Sequence, residues 1–132
     1  MSTNRLLSVY FNKYLRENRV SVSSEQWIVL AILWDNPGMS QEELGKHLSL
    51  EKSSLSRQIE IMERDGLVQR SRDETDRRRK LLTTTEKADR MKERCKMISE
   101  EARQRLLADI DPLKAEECIR VLAQVKHVAG SY

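Results

Sequence analysis

The stretch that decides the fold runs from Ser40 to Thr85 and reads SQEELGKHLSLEKSSLSRQIEIMERDGLVQRSRDETDRRRKLLTTT. Apolar residues recur at helical spacing on both sides of the turn Leu48–Leu50, which predicts one helix over 40–48 and a second over 52–65. Two helices joined by a turn of about three or four residues form a helix-turn-helix, whose second helix can lie in the major groove of DNA. The second helix is therefore a candidate recognition helix.

The hairpin predicted over 66–83 carries the densest basic cluster of the chain, with six basic and three acidic residues between Arg70 and Lys80. Its return strand is predicted over roughly 78–83, and strand alternation sends the consecutive basic residues to opposite sides. Some of these side chains are placed to enter a minor groove, and others to pair with Asp73 or Asp76. A charge run is usually only a solvated face. Its position beside a candidate recognition helix favours a DNA-binding wing.

The predicted recognition helix has one apolar face, formed by Leu55, Ile59 and Met62, and one polar face. Hydroxyl groups near a helix N-terminus can hydrogen-bond base edges or phosphates, and an arginine such as Arg57 can reach a guanine with two hydrogen bonds. Serines that only cap the helix in solvent are the alternative interpretation. The predicted DNA-binding residues of the helix pair and the wing are Ser40, Gln41, Ser53, Ser54, Ser56, Arg57, Gln58, Arg70, Arg72, Arg77 and Arg78.

Capping signals predict where the neighbouring helices begin and end. Ser23 with Gln26, and Ser40 with Glu43, have the spacing of a capping box. The helix after Ser23 is strongly apolar and is predicted to be the centre of the core, ending at Pro37-Gly38. We also predict a brief strand pairing between the residue before Ser40, which is Met39, and the wing.

Both ends of the chain carry wide apolar stripes at helical spacing, over about 4–18 and 86–130. Core burial explains the first stripe as well as contact with a second chain does. The long C-terminal helix has a seam close to a heptad repeat, and Asp111-Pro112 separates it from a last helix. We predict that these helices pair with those of a second copy. The candidate dimerisation residues are Leu6, Tyr10, Tyr14, Ile98, Leu106, Leu113, Leu122 and Val125.

Length and composition are those of one mainly helical domain of 132 residues, with 34% charged and 5% aromatic residues. The net charge of +3 permits nucleic-acid binding without demanding it. Two cysteines without a CxxC pair fit a reducing compartment, and no signal peptide or membrane-spanning run is predicted. The expected protein is cytoplasmic and associated with the nucleoid. We predict no cofactor, no metal site and no enzymatic activity, since His47 and His127 lie on separate helices.

In order and spacing, five segments together resemble the MarR family of bacterial winged-helix regulators along nearly the whole chain. They are Gln26–Trp34, Pro37–Leu44, Ser53–Arg57, Ile61–Val68 and Asp76–Arg78. The resemblance implies one domain over 1–132, mainly α with a small β-hairpin wing. It further implies a winged helix-turn-helix over about 23–85, flanked by dimerisation helices at both ends.

The resemblance also implies a function. A homodimer would bind a pseudo-palindromic operator in double-stranded DNA and act as a repressor, less often an activator, that a small aromatic or phenolic effector releases. Asp76 would stabilise the wing and help to present an arginine of the pair Arg77 and Arg78. The effector pocket would be lined by Tyr14, Trp27 and Trp34, although core positions explain most of these aromatics equally well.

The sequence departs from the family pattern in ways that bear on mechanism. The glycine that follows the wing is replaced by Ala88, which predicts a more rigid entry to the long helix. No cysteine lies in the first helix, where peroxide sensors of the family carry theirs. Two alternatives to a ligand-responsive repressor stay open. One is a redox switch through Cys95 or Cys118, and the other is a winged-helix module that binds protein instead of DNA.

Overall fold

The computed structural model describes residues 2–131, and its elements are six helices and one two-stranded antiparallel sheet. In chain order they are α1 (Thr3–Glu17), α2 (Ser24–Asp35), α3 (Gln41–Leu48), α4 (Lys52–Arg64), β1 (Val68–Arg72), β2 (Lys80–Thr84), α5 (Glu86–Leu107) and α6 (Pro112–Gly130). The predicted fold class, mainly helical with a β-hairpin wing after a helix-turn-helix, is confirmed.

Capping interactions set the helix starts, as the sequence predicts. The Ser23 hydroxyl accepts from the Gln26 N–H at 3.2 Å, and the Gln26 amide oxygen accepts from the Ser23 N–H at 3.1 Å. Ser40 and Glu43 form the same reciprocal pair at 3.1 and 3.0 Å. Each box satisfies two N–H groups that a helix start otherwise leaves unpaired. The Asp111 carboxylate accepts from the Leu113 N–H at 3.0 Å and starts α6.

The wing is held against the helix-turn-helix by main-chain hydrogen bonds. In the sheet, Val68 pairs with Thr84 and Arg72 pairs with Lys80. An isolated bridge joins Ser40 to Leu81, and the Leu82 N–H donates to the Met39 carbonyl at 2.9 Å. The predicted strand pairing of Met39 with the wing is therefore confirmed.

The return strand begins later than predicted, at Lys80 instead of residue 78. The reason is the closure of the loop. The Asp73 N–H donates to the Arg79 carbonyl and the Arg79 N–H donates to the Asp76 carbonyl, both at 3.0 Å. The residues before Lys80 therefore satisfy their main-chain groups inside the loop.

The core of the first part of the chain is built around α2. Val29, Leu30, Leu33 and Trp34 of that helix are buried, which confirms its predicted central place. The apolar faces of α3, α4 and β2 complete this core. Their fully buried side chains include Leu44, Leu55, Ile59, Met62 and Leu82.

The chain divides into two compact units, one up to Lys96 and one from Met97 onward. The first contains α1 to β2 and the start of α5. The second contains the rest of α5 and α6. In α6, the large apolar side chains are exposed, including Leu113 at 73% and Leu122 at 61%. Among residues 2–131, no helix is long and apolar enough to cross a bilayer.

Candidate nucleic-acid interface

The N-terminal half of α4 presents its polar side chains to solvent. Ser53, Ser54 and Arg57 are exposed and Ser56 is half-buried, while Leu55 is buried beneath them. These four polar residues are close enough in sequence to form one surface at the positive end of the helix dipole. This arrangement is open to hydrogen bonding with base edges or phosphates.

The tight turn between α3 and α4 brings the helix pair close together. Ser49 adopts the left-handed conformation with a φ of +53° and ends α3. A Cβ atom on Gly45 would lie 3.2 Å from Leu55 Cδ2, so the absence of a side chain there allows α4 to approach. The left-handed Ser49 and the missing side chain at Gly45 therefore allow α4 to pack closely against α3.

Three predicted contact residues are buried or half-buried in the single chain. Ser40 is 1% exposed and its hydroxyl caps α3, and Gln41 is 8% exposed. The Gln58 amide donates to the Glu25 carbonyl at 3.3 Å, which turns it toward the start of α2. Ser40 and Gln58 therefore use their polar groups in hydrogen bonds within the protein. Contact of these three residues with DNA stays a prediction.

The wing carries two arginines that make no ion pair within residues 2–131, Arg77 and Arg78, and both are exposed. The Asp76 carboxylate accepts from the Arg78 main-chain N–H at 3.0 Å. Asp76 therefore orders the loop through the backbone and leaves both guanidinium groups unpaired. Arg72, on β1, is exposed as well.

Arg70, one of the predicted DNA-contact residues, has a side chain that is bound to other parts of the protein. Its side chain is 16% exposed, and its Nε lies 3.2 Å from Glu63 Oε2. Its main-chain N–H donates to Glu63 Oε1 at 3.1 Å, and its guanidinium donates to the Ser56 carbonyl at 3.3 Å. Arg70 thus joins β1 to α4 at two places, and its charge is compensated inside the protein instead of being presented to a phosphate.

Arg79 also bridges two parts of the interface. Its guanidinium is hydrogen-bonded to the Glu43 carboxylate of α3 and lies 3.8 Å from Asp73 Oδ2 in the wing loop. The Ser40 N–H, and then the Arg79 charge, hold the pKa of Glu43 below its usual value. Pairing of a wing arginine with Asp73 was one of the predicted options. The pairing with Glu43 was not, because no local pattern links residues so far apart.

A groove of about 580 Å³ separates α3 and the start of α4 from the wing. Its lining includes Gln41, Lys46, Lys52, Leu55, Ser56 and the wing residues Arg78, Arg79 and Lys80. The groove has a basic rim because five of these residues are lysines or arginines. The start of α4 and the wing arginine Arg78 therefore line the same basic groove.

The sequence and the fold both match known proteins. Residues 22–80 match the MarR family, a region that runs from just before α2 to the first residue of β2. This region of the chain is similar to the MarR family of regulators. A curated relative, the organic hydroperoxide resistance transcriptional regulator of Bacillus subtilis (strain 168), is 29% identical over 77 residues. That region covers 58% of this chain and spans about half of the relative, 52% of its length.

Solved structures of the MarR family superpose over almost the whole chain. The PcaV transcriptional regulator from Streptomyces coelicolor, in complex with its natural ligand, is 25% identical with a TM-score of 0.83, covering 96% of this chain and 87% of that one. A MarR transcriptional regulator from Methanosarcina mazei Go1 is 27% identical with a TM-score of 0.82, covering 96% and 89%. Both of these solved structures are transcriptional regulators that share the winged-helix fold of this chain.

The aromatic residues suggested as an effector pocket lie in more than one environment. Trp27 and Trp34 pack edge to face with ring centroids 5.7 Å apart, and Trp34 Nε1 donates to Asp89 Oδ1 at 2.9 Å. Trp34 lines a cavity of about 400 Å³, together with residues such as Leu33, Thr84 and Lys92. Tyr14 is buried at 6% exposure and is not among the residues that line this cavity. The structure therefore does not join the three aromatics in that cavity.

The two cysteines differ in environment. Cys95 is buried in α5, and burial raises the pKa of its thiol, which lowers the fraction of reactive thiolate. Cys118 is exposed on α6. Among the described residues, no three His, Cys, Asp or Glu side chains are grouped so that they could hold a metal ion.

Proposed function

We propose that this chain is a sequence-specific DNA-binding repressor that acts as a homodimer on a pseudo-palindromic operator. The observation that carries the proposal is the exposure of Ser53, Ser54 and Arg57 on α4, together with the exposed Arg77 and Arg78 on the wing, which make no ion pair within residues 2–131. The match of residues 22–80 to the MarR family supports the same interpretation. The placement suits a recognition helix in a major groove and a wing at the adjacent minor groove.

The interface divides into two kinds of contact. The α4 surface combines hydroxyl groups with one arginine, which are side chains that read base edges. The wing presents charge, which binds phosphates or a narrow minor groove whatever the sequence beside it. We therefore assign sequence preference to Ser54, Ser56 and Arg57, and general affinity to Arg72, Arg77 and Arg78.

This assignment predicts different results for two sets of substitutions. Arg77→Ala with Arg78→Ala should weaken binding to all duplexes and reduce the dependence of affinity on salt, because fewer counterions are released. Arg57→Ala should cost about 1–3 kcal/mol on the preferred sequence and less on others. The measurement is a mobility-shift titration at several salt concentrations, on sites selected from random duplex DNA.

The matched control is Arg64→Ala, which removes an exposed arginine from the C-terminal turn of α4, away from the proposed contact surface. It should change affinity little. Binding that does not respond to salt, or equal affinity of the wing variant and the wild type, would exclude the DNA-binding proposal and favour a module that binds protein. Selected sites without two-fold related half-sites would argue against the homodimer.

The proposed dimer uses the helices at both ends of the chain. Five of the predicted dimerisation residues have exposed side chains, namely Leu6, Leu106, Leu113, Leu122 and Val125. Tyr10 is half-buried. Tyr14 and Ile98 are buried within the chain itself, so their apolar surface is already covered. The exposed five are therefore the better candidates for contact with a second copy.

We further propose that a small effector releases the operator. PcaV, which shares this fold, was solved with its natural ligand, and this is what supports a ligand for the present chain. An effector changes DNA affinity only if it binds the DNA-incompetent form of the dimer better than the competent form. A redox switch has less support, since Cys95 is buried with a raised thiol pKa.

A further inference from the structure

Arg79 is placed between two carboxylates that belong to different parts of the interface. Glu43 lies in the first turn of α3, and Asp73 lies at the start of the wing loop. Both carboxylates contact the Arg79 guanidinium, whose side chain is 43% exposed. The neighbouring Arg77 and Arg78 have no such partner within residues 2–131. The three consecutive arginines therefore divide into two that are free to contact DNA and one that is held by the protein.

The main chain around Arg79 closes the wing loop. Its carbonyl accepts from the Asp73 N–H and its own N–H donates to the Asp76 carbonyl, both at 3.0 Å. The loop residues 74–78 thus lie inside a ring that Arg79 completes. Any contact that fixes the side chain of Arg79 also fixes the base from which Arg77 and Arg78 project.

Glu43 connects this base to the helix-turn-helix. One of its oxygens accepts the Ser40 N–H at 3.0 Å as part of the capping box, and the other contacts Arg79. A single carboxylate therefore joins the start of α3 to the wing. Since α3 packs on α4 through Gly45 and Leu55, the orientation of the loop is tied to the orientation of α4.

We infer that Arg79 is a positioning residue, which orients the wing against α3 through Glu43 and does not itself bind a phosphate. The inference rests on the proposed DNA-binding function. An ion pair this exposed adds little to global stability. Its effect is therefore expected in DNA affinity, where the direction of Arg77 and Arg78 matters.

The variant Glu43→Gln separates positioning from simple electrostatics. Glutamine at this position keeps the capping box, as Gln26 shows in the box of α2. The substitution removes a negative charge from a surface that faces DNA, so electrostatics alone predicts tighter binding. Positioning predicts the opposite, a loss of about two- to fivefold in affinity per wing, the range expected for an exposed ion pair.

The matched control is Glu42→Gln, which makes the same change of charge one residue earlier on α3. Glu42 is exposed and pairs with Lys46 of its own helix at 3.5 Å, not with the wing. It should bind DNA as tightly as the wild type or slightly more tightly. If Glu43→Gln binds as well as Glu42→Gln, the positioning role is excluded.

Arg79→Gln provides the second arm. A phosphate contact would be revealed by a salt dependence reduced by about one counterion, whereas a positioning residue lowers affinity and leaves the salt slope unchanged. A reduced salt slope would assign Arg79 to the phosphates and overturn the inference.

NMR order parameters of the free protein make the test independent of the proposed function. Amides of 74–78 should become more mobile in Glu43→Gln than in Glu42→Gln and the wild type. If the wild type fails to bind DNA, the proposed function is excluded, and these order parameters still decide the inference. Unchanged loop order in Glu43→Gln would overturn it.

Discussion

Gly66 lies between the end of α4 and the start of the wing, in a conformation that favours a residue without a side chain. Its φ of +72° lies in the left-handed region, as the sequence Asp65-Gly66 predicts for a helix end. A Cβ atom there would meet only Lys87, whose Cδ would be 3.7 Å away, an ordinary contact. The requirement for glycine is therefore set by the backbone and not by space.

We predict that Gly66→Ala lowers the free energy of unfolding by about 1–2 kcal/mol, the cost of a left-handed conformation for an L-residue. Urea unfolding measures it as a lower midpoint at an unchanged slope. Gly130→Ala is the control, because Gly130 lies in α6 without positive φ, and a Cβ atom added to it would have no neighbouring atom within 4 Å among the described residues. Equal stability of the Gly66→Ala variant and the wild type would show that α4 does not end in this conformation.

Single residues also mark what sequence could not reveal. Ser53, Ser54 and Arg57 are exposed as helical periodicity predicts, and Arg77 and Arg78 are exposed because they lie in the wing loop. Whether an outward arginine stays free of an ion pair depends on carboxylates of other elements. Arg70 of β1 pairs with Glu63 of α4, and Arg79 pairs with Glu43 of α3, and no local sequence pattern predicts either pair. Side-chain pairing across elements was therefore the part that the sequence left open.

At the scale of elements, α3 and the wing share a carboxylate whose ionisation can be followed. The Ser40 N–H is the largest cause that lowers the pKa of Glu43, and the charges of Arg79 and Lys46 add to it. Hydrogen bonds from Thr75 lower the pKa of Asp73 in the same loop. A carboxylate with a lowered folded-state pKa stabilises the fold above its unfolded pKa, and this contribution is lost as the pH falls through the folded value.

We predict that NMR titration of the side-chain carboxyls will place Glu43 below the ordinary glutamate pKa of about 4.3. In Arg79→Gln the pKa of Glu43 should rise only part of the way, because the Ser40 N–H still donates. The attachment of the wing to α3 should weaken only in acid, as Glu43 is protonated. An ordinary pKa for Glu43 in the wild type would mean that neither contact persists in solution.

The element boundaries were predictable to the extent that their causes are local. Both capping boxes and the Asp111-Pro112 start of α6 need only residues within one helical turn, and all three are confirmed. The start of β2 was predicted two residues early because main-chain hydrogen bonds between Asp73, Asp76 and Arg79 close the loop. Strand propensity in a basic run carries no information about such a closure.

At the scale of the whole molecule, α6 is the element whose large apolar side chains are left exposed. Its exposed apolar side chains, Leu113, Ile119, Leu122, Val125 and Val128, are each at least half exposed in the single chain. Such contiguous apolar surface marks an interaction site more often than an ordinary surface. Burial of one leucine side chain is worth about 1.5–3 kcal/mol, and a symmetric contact buries two.

We predict that Leu122→Glu will shift the protein from dimer to monomer at micromolar concentration, as measured by sedimentation equilibrium. Affinity for a two-half-site operator should fall at least about tenfold, since the second lobe is no longer linked to the first. Gln124→Glu is the control, because it adds the same charge at an exposed polar position of α6. A Leu122→Glu variant that stays dimeric would place the dimer interface elsewhere.

The hydrogen bond from the Leu82 N–H to the Met39 carbonyl has a consequence for how such proteins diverge. It joins the wing to the helix-turn-helix through main-chain atoms alone, so substitutions at either position leave its donor and acceptor in place. The wing can therefore keep its attachment while its side chains change. The angle of the wing is then set by side-chain pairs such as Glu43 with Arg79, which a single codon change can create or remove. The wing would stay attached to the helix-turn-helix while its angle changes. Such proteins could therefore acquire new operators without loss of the fold.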